Sequence, residues 1–130
     1  MPIYAEWDNE SRTIIRIHLH DPWELSEYFQ AVDQAQGLAS TVTHPVHLIY
    51  DLTHSFNVPL NLLSSIRAIE KRFIPPDGIT ICVKTSPYLR TIMKMGIRVF
   101  PHLGHNLFFS DSLQDAYDLI KKHSKSTPPS

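Results

Sequence analysis

Two histidines alternate along one short apolar run, Ile14-Ile15-Arg16-Ile17-His18-Leu19-His20, and in a strand that spacing sends both imidazoles to the same face. Neutral imidazole is a ligand for zinc, so His18 and His20 could supply half of a tetrahedral site, with Asp51, His54, His102 or His105 available to complete it. The same pattern also suits two rings packed on a half-wet strand face, which needs no ion. A second group lies at Asp51-Leu52-Thr53-His54-Ser55-Phe56-Asn57. An acid near a histidine is raw material for general-base chemistry. No nucleophile elbow, glycine-rich phosphate loop or paired carboxylate accompanies it, and side chains of Asp51 and Thr53 bonded to loop amides account for the pattern without catalysis. The residues therefore predict no catalytic group, no resident metal and no cofactor.

Other spacings point to surfaces. Phe56, Val58 and Leu60 fall where helical periodicity does not require all three to be inward, and any exposed member would offer an apolar contact to a partner. The alternative is that Phe56 folds over the edge of the core. Arg90, Lys94 and Arg98 form an i, i+4, i+8 row preceded by Lys84, which suits an anionic partner, headgroup or phosphate, and equally a solvated helix face. Met93 and Met95 read as core filler and surface scatter. Cys82 is the single cysteine, so no intrachain disulfide or thiolate cluster can form, and it reads as a small core residue in a reducing compartment.

The elements that must position these residues follow from periodicity. Ile3 to Trp7 and Thr13 to Leu19 are β-branched and aromatic runs on either side of Asp8-Asn9-Glu10-Ser11, a hairpin. Asp21-Pro22-Trp23-Glu24 has the form of a helix start, with Asp21 as cap, Pro22 at the first position and Glu24 at capping-box spacing. That helix is expected to bury Leu25, Tyr28, Phe29 and Val32, to run to about Gln36 and to stop at Gly37. His47 to Thr53 reads as a strand, and Pro59 to Phe73 as a helix with Leu62, Ile66, Ile69 and Phe73 on one side, ended by Pro75-Pro76-Asp77-Gly78. Ile79 to Lys84 is apolar enough for a strand covered on both faces. Ser86-Pro87 begins a helix with Leu89, Ile92, Met93 and Gly96 inward and Arg90, Lys94 and Arg98 outward. Asn106 to Ser110 is a last strand. Ser112 caps a final helix whose inward members are Leu113, Ala116, Tyr117 and Ile120.

The expected fold is α/β, in the order β-β-α-β-α-β-α-β-α. It is a mixed, mostly parallel sheet of about five strands with an N-terminal hairpin and four helices, joined by right-handed crossovers. The length of 130 residues fits one core, taken as a single domain over 1–123 with a disordered tail over 124–130. Hydrophobic residues make up 42%, and 12 Lys and Arg against 13 Asp and Glu leave a net charge of -1, which is no footprint for nucleic acid. The N-terminus has no signal-like pattern and no apolar run approaches the roughly 18 residues of a membrane span. Together these predict a cytoplasmic protein with no membrane span.

The element order, the strand ending Tyr50-Asp51-Leu52-Thr53 and the closing Phe108-Phe109-Ser110-Asp111-Ser112-Leu113-Gln114-Asp115-Ala116 resemble the SpoIIAA-like group, which includes the STAS domains and shares its fold with lipid-carrying Sec14-type domains. The likeness covers roughly residues 3 to 122. It implies a non-enzymatic regulatory or protein-binding module, partnered by another protein or by a second copy of itself, acting through Thr53, His54, Ser55, Phe56, Asn57 and Leu60. In the anti-sigma antagonist branch, a serine within an Asp-Ser-Ser-Gly-like segment at the start of the helix after the third strand is phosphorylated. Here the segment is Thr53-His54-Ser55-Phe56-Asn57-Val58-Pro59-Leu60, without the Asp-Ser pair or the glycine. Ser55 and Thr53 are equal candidates, and Pro59 removes one of the amides that would receive a phosphate. The Sec14 kinship implies an alternative, a carrier of a small apolar or lipid-like ligand, which requires an internal cavity. A histidine-dependent metal enzyme built on His18, His20, Asp51 and His54 is a further alternative.

Overall fold

The computed structural model describes residues 3–126. In chain order the elements are β1 (Ile3–Trp7), β2 (Ile14–His20), α1 (Leu25–Ala39), β3 (His47–His54), a 3-10 turn (Leu63–Ser65), α2 (Ile66–Glu70), β4 (Thr80–Val83), α3 (Pro87–Val99), a second 3-10 turn (Pro101–Gly104), β5 (Leu107–Ser110) and α4 (Leu113–Ser126). The five strands lie side by side in that same order. β1 runs antiparallel to β2, and the remaining pairs are parallel, which is the mixed sheet the periodicities require.

Alternation in the strands sorts the two faces. Ile15, Ile17 and Leu19 of β2, Leu48 and Leu52 of β3 and Cys82 of β4 turn to the face covered by α1 and α3, where they meet Val32, Ala35 and Leu89. Ile14, Ile49, Ile81 and Val83 turn the other way and meet Ala116 and Ile120 of α4. β4 is buried at every position, as expected of a strand covered on both sides. Residues of the β1–β2 hairpin that share the α4 face include Glu6, Arg16 and His18, and there the sheet carries polar pairs, Arg16 with Asp8 and His18 with Glu6, instead of aliphatic contacts.

Five local expectations are corrected. The helix α1 starts later than Asp21: its N-cap is Glu24, in a reciprocal capping box with Glu27, and the Asp21-Pro22 peptide, which is cis, precedes it. It continues through Gly37 to Ala39, because Leu38 and Ala39 pack against the core and that contact outweighs the backbone cost of one helical glycine. The single helix expected over Pro59 to Phe73 is reduced to a 3-10 turn and the five residues of α2. Ser64 donates its hydroxyl to the Asn61 carbonyl, and the Ser65 amide is shared between the Asn61 and Leu62 carbonyls, local bonds that compete with regular helix. Arg90, expected to point outward with Lys94 and Arg98, is half-buried, its guanidinium 4.5 Å from the centre of the Phe109 ring. At the C-terminal end the α4 backbone carries on through Ser126, past the boundary expected at 123, and residues 127–130 of the expected tail lie outside the described residues.

Candidate functional site

The carboxyl ends of parallel strands, with the loops that follow them, form the rim where ligands and partners of open α/β sheets usually bind. Here the loop after β3 is held from below by two side chains that precede α1. Ser55 is only 7% exposed, and its hydroxyl accepts a hydrogen bond from the Trp23 indole at 2.8 Å. Asp21 accepts from the backbone amides of Phe56 at 2.7 Å and Asn57 at 3.2 Å, and its own amide donates to the His54 carbonyl at 3.1 Å. A loop braced this way divides its apolar residues. Val58 packs against the core, whereas Phe56 is 78% exposed and Leu60 fully exposed. Thr53, His54 and Asn57 are exposed on the same rim.

Beneath the rim lies a charged network on the α4 face. Arg16 reaches Asp51 at 3.1 Å and Asp8 at 3.2 Å, and the Tyr117 hydroxyl donates to Asp8. Both the amide and the hydroxyl of Thr53 donate to the Asp51 carboxylate, at 3.1 and 2.6 Å. Burial opposes charge on both partners of the central pair, yet it is outweighed. Against burial, the Thr53 hydrogen bonds and Arg16 hold the Asp51 carboxyl below its ordinary range, and Asp51 and Asp8 raise the Arg16 guanidinium. Satisfying loop groups is a role these bonds serve: Thr53 donates twice to Oδ1 while Arg16 meets Oδ2.

The histidines divide their attention. His18 stacks on Tyr4 with ring centres 4.5 Å apart and hydrogen-bonds Glu6 at 3.0 Å. His20 lies 4.9 Å from His54 and 6.5 Å from His18, centre to centre. His102 bonds Glu70 and His105 bonds Asn106. Among the described residues no three His, Cys, Asp or Glu side chains converge as a metal site. The cationic row is also divided: Lys94 and Arg98 are exposed while Arg90 lies against Phe109.

The opposite face of the sheet holds a cavity of about 160 Å³ between α2, α3 and the strands. Leu62, Ile66, Ile69 and Phe73 roof it, and Tyr28, Tyr50 and Cys82 belong to its walls. The Tyr28 and Tyr50 rings lie with their centres 6.1 Å apart, and burial raises the pKa of both, Tyr50 well above its ordinary value. Burial pushes the Cys82 thiol up to about 12, which leaves it unreactive.

Thr53 is expected at the end of a strand and Leu60 at the start of a helix; β3 instead extends to His54 and Leu60 stays in the loop, and nothing in the spacing reveals what holds that loop. Asp21 was legible only as a helix cap, and no spacing linked Trp23 to Ser55. The Arg16–Asp8 pair had a signal, since Arg16 stands opposite Glu6 and Asp8 is its diagonal neighbour on the same face of the hairpin; Tyr117, a hundred residues away, had none.

No protein-family model and no curated protein matches the chain. Among solved structures it is similar to an anti-sigma-factor antagonist (STAS) domain protein from Planctomyces limnophilus, with 13% identity and a TM-score of 0.53 over 92% of this chain and 97% of that one. The fold is therefore STAS-like, at an identity that carries the architecture alone. Among the described residues no helix is long and apolar enough to cross a membrane.

Proposed function

We propose that the chain is a non-enzymatic regulatory module that binds another protein through the loop after β3. The observation that carries this reading is the pair Phe56 and Leu60, two large apolar side chains set outward on a loop whose backbone is anchored by Asp21 and Trp23. A mobile loop would lose conformational entropy on binding; an anchored one has already done so on folding, which favours association. The likeness in fold to an anti-sigma-factor antagonist supports a protein as the partner.

The same geometry separates the two candidate phosphorylation sites. The Ser55 hydroxyl is inside, committed to Trp23, whereas Thr53 is exposed with its hydroxyl on Asp51. A phosphate on Thr53 would replace that donor with a dianion beside a carboxylate, so modification would release the loop from the strand end and weaken partner binding. The test compares capture of partners from the native cell extract by wild type, by a Phe56→Ala and Leu60→Ala double variant, and by a Tyr88→Ala and Val99→Ala control. A protein retained by wild type and control but lost by the loop variant is expected; equal recovery on all three would overturn the assignment.

A further inference from the structure

We infer that the cavity under the α2 segment is a binding site for a compact apolar molecule of about the size of a single aromatic ring, and that its occupancy is transmitted to the loop after β3. Protein interiors are normally packed to the density of organic crystals, and a dry apolar void of about 150 Å³ is enough to take up benzene. The void here is about 160 Å³. Its walls are mainly aliphatic and aromatic, with Tyr28, Tyr50, Thr80 and Arg72 as their polar members. Arg72 is already paired with Asp33, and a tyrosine hydroxyl can exchange one hydrogen bond with a ligand, which fits an aromatic molecule with a single polar atom.

The roof is built to open. No residue of the 3-10 turn or of α2 is fully buried. The segment is tied down at its far end, where Arg72 pairs with Asp33 at 3.2 Å and lies 4.1 Å over the Phe29 ring, and where Glu70 meets His102 at 3.2 Å. Its near end is the braced loop itself. Trp23 belongs to the cavity wall and donates to Ser55, so a molecule seated against the indole bears on the hydroxyl that fixes the loop. Leu62 of the roof stands two residues from exposed Leu60. The first half of the inference stands without the proposed partner function; the second half rests on it for its meaning, though not for its measurement.

Gly96 supplies the means of testing. A Cβ added there would lie 2.6 Å from Ile66 Cδ1, the far end of a flexible side chain in the cavity roof. That end must swing away, and the open space beside it is the cavity. Methyl and amide NMR of the full chain during titration with indole and, separately, benzene is the experiment. The expected result is saturable shifts at the Leu62, Ile66, Ile69 and Met93 methyls, with indole also moving the amides of Ser55 and Phe56. Binding should weaken by about tenfold in Gly96→Ala and likewise in Ile69→Phe, which fills the void from above if the first variant does not fold. Absence of saturable shifts in wild type, or affinities unchanged in a folded filling variant, would overturn the site. Saturable methyl shifts with the Ser55 and Phe56 amides unmoved would overturn the coupling. Neither outcome depends on whether a partner protein is ever captured through Phe56.

Discussion

Asp51 shows how neighbours can hold a buried carboxylate in its ionised form. Its two oxygens are taken up by Arg16 and by two donors of Thr53, bonds that favour the ionised form and hold its pKa below the ordinary range despite burial. Asp51→Asn keeps the shape and loses the charge, and urea unfolding at pH 7 should show it destabilised by about 1–3 kcal/mol, the usual worth of a hydrogen bond to a charged group. Because the folded-state value is the depressed one, the contribution is complete above the unfolded value of about 4 and fades as pH falls through the folded value. The gap between wild type and variant should therefore narrow below pH of about 4; a gap constant down to pH of about 2 would mean that charge is irrelevant. His47 obeys the opposite logic. Its Nδ1 accepts the Ile79 amide at 3.0 Å, which only a neutral ring with its proton on Nε2 can do, and burial, aided by His123, lowers its pKa. A histidine whose folded value is lowered binds fewer protons folded than unfolded, so stability drops as pH falls from about 6.5 toward the folded value. His47→Asn, which does not titrate, should flatten that slope, and unfolding curves at several pH values between about 5 and 7 would reveal whether it does.

At the scale of elements, the strands were readable and the helix boundaries were not, for reasons visible in particular residues. Alternation in β2 survives folding intact, Ile15, Ile17 and Leu19 to one face and Arg16 to the other, because a one-residue slip would bury the charge and expose the aliphatics. A helix end has no such penalty. Gly37 reads as a stop in isolation, yet it lies inside α1 because the chain beyond it finds apolar surface to cover. A methyl added at Gly37 would meet nothing within 4 Å, so Gly37→Ala should stabilise the protein by about 0.5–1 kcal/mol. Gly78 is its counterpart. A Cβ there would lie 1.9 Å from the Val46 carbonyl oxygen, and that backbone leads directly into β3, whose first bonds run from His47 to Thr13 and from Leu48 to Ile79. Gly78→Ala should cost more than about 2 kcal/mol, the range of changes that force backbone to move. Thermal unfolding of the two variants side by side would show shifts of opposite sign; shifts of the same sign would contradict the packing described here.

Across the whole molecule, what could be read was the architecture, and what could not was the pairing of distant side chains. Element order and strand character dictated a mostly parallel sheet with an N-terminal hairpin, and the chain indeed shares its architecture with a STAS domain protein. A candidate surface at Phe56, Val58 and Leu60 was also legible, because helical periodicity does not require all three to be inward; Phe56 and Leu60 are exposed and Val58 packs against the core. The bonds that immobilise that loop were not legible, since Trp23–Ser55 and Asp21–Phe56 join residues 32 and 35 positions apart whose meeting depends on the completed fold. The cavity was hidden for the same reason: Leu62, Ile66, Ile69 and Phe73 have the spacing of a packed helix, and nothing in that spacing says that the surface opposite leaves a void. This uneven packing has a consequence for dynamics. Local opening follows the number of buried contacts an element must break; α2 has no fully buried residue, whereas α1 buries Leu25, Ala31, Val32 and Ala35. Amides of α2 should exchange with solvent at least about a hundredfold faster than those in the middle of α1, and Arg72→Ala, which removes the pairing with Asp33 and the stacking on Phe29, should speed them further while leaving α4 unchanged. Hydrogen exchange resolved by residue measures both effects; protection of α2 equal to that of α1 would mean that the roof is as firmly seated as the rest of the core and does not open by itself.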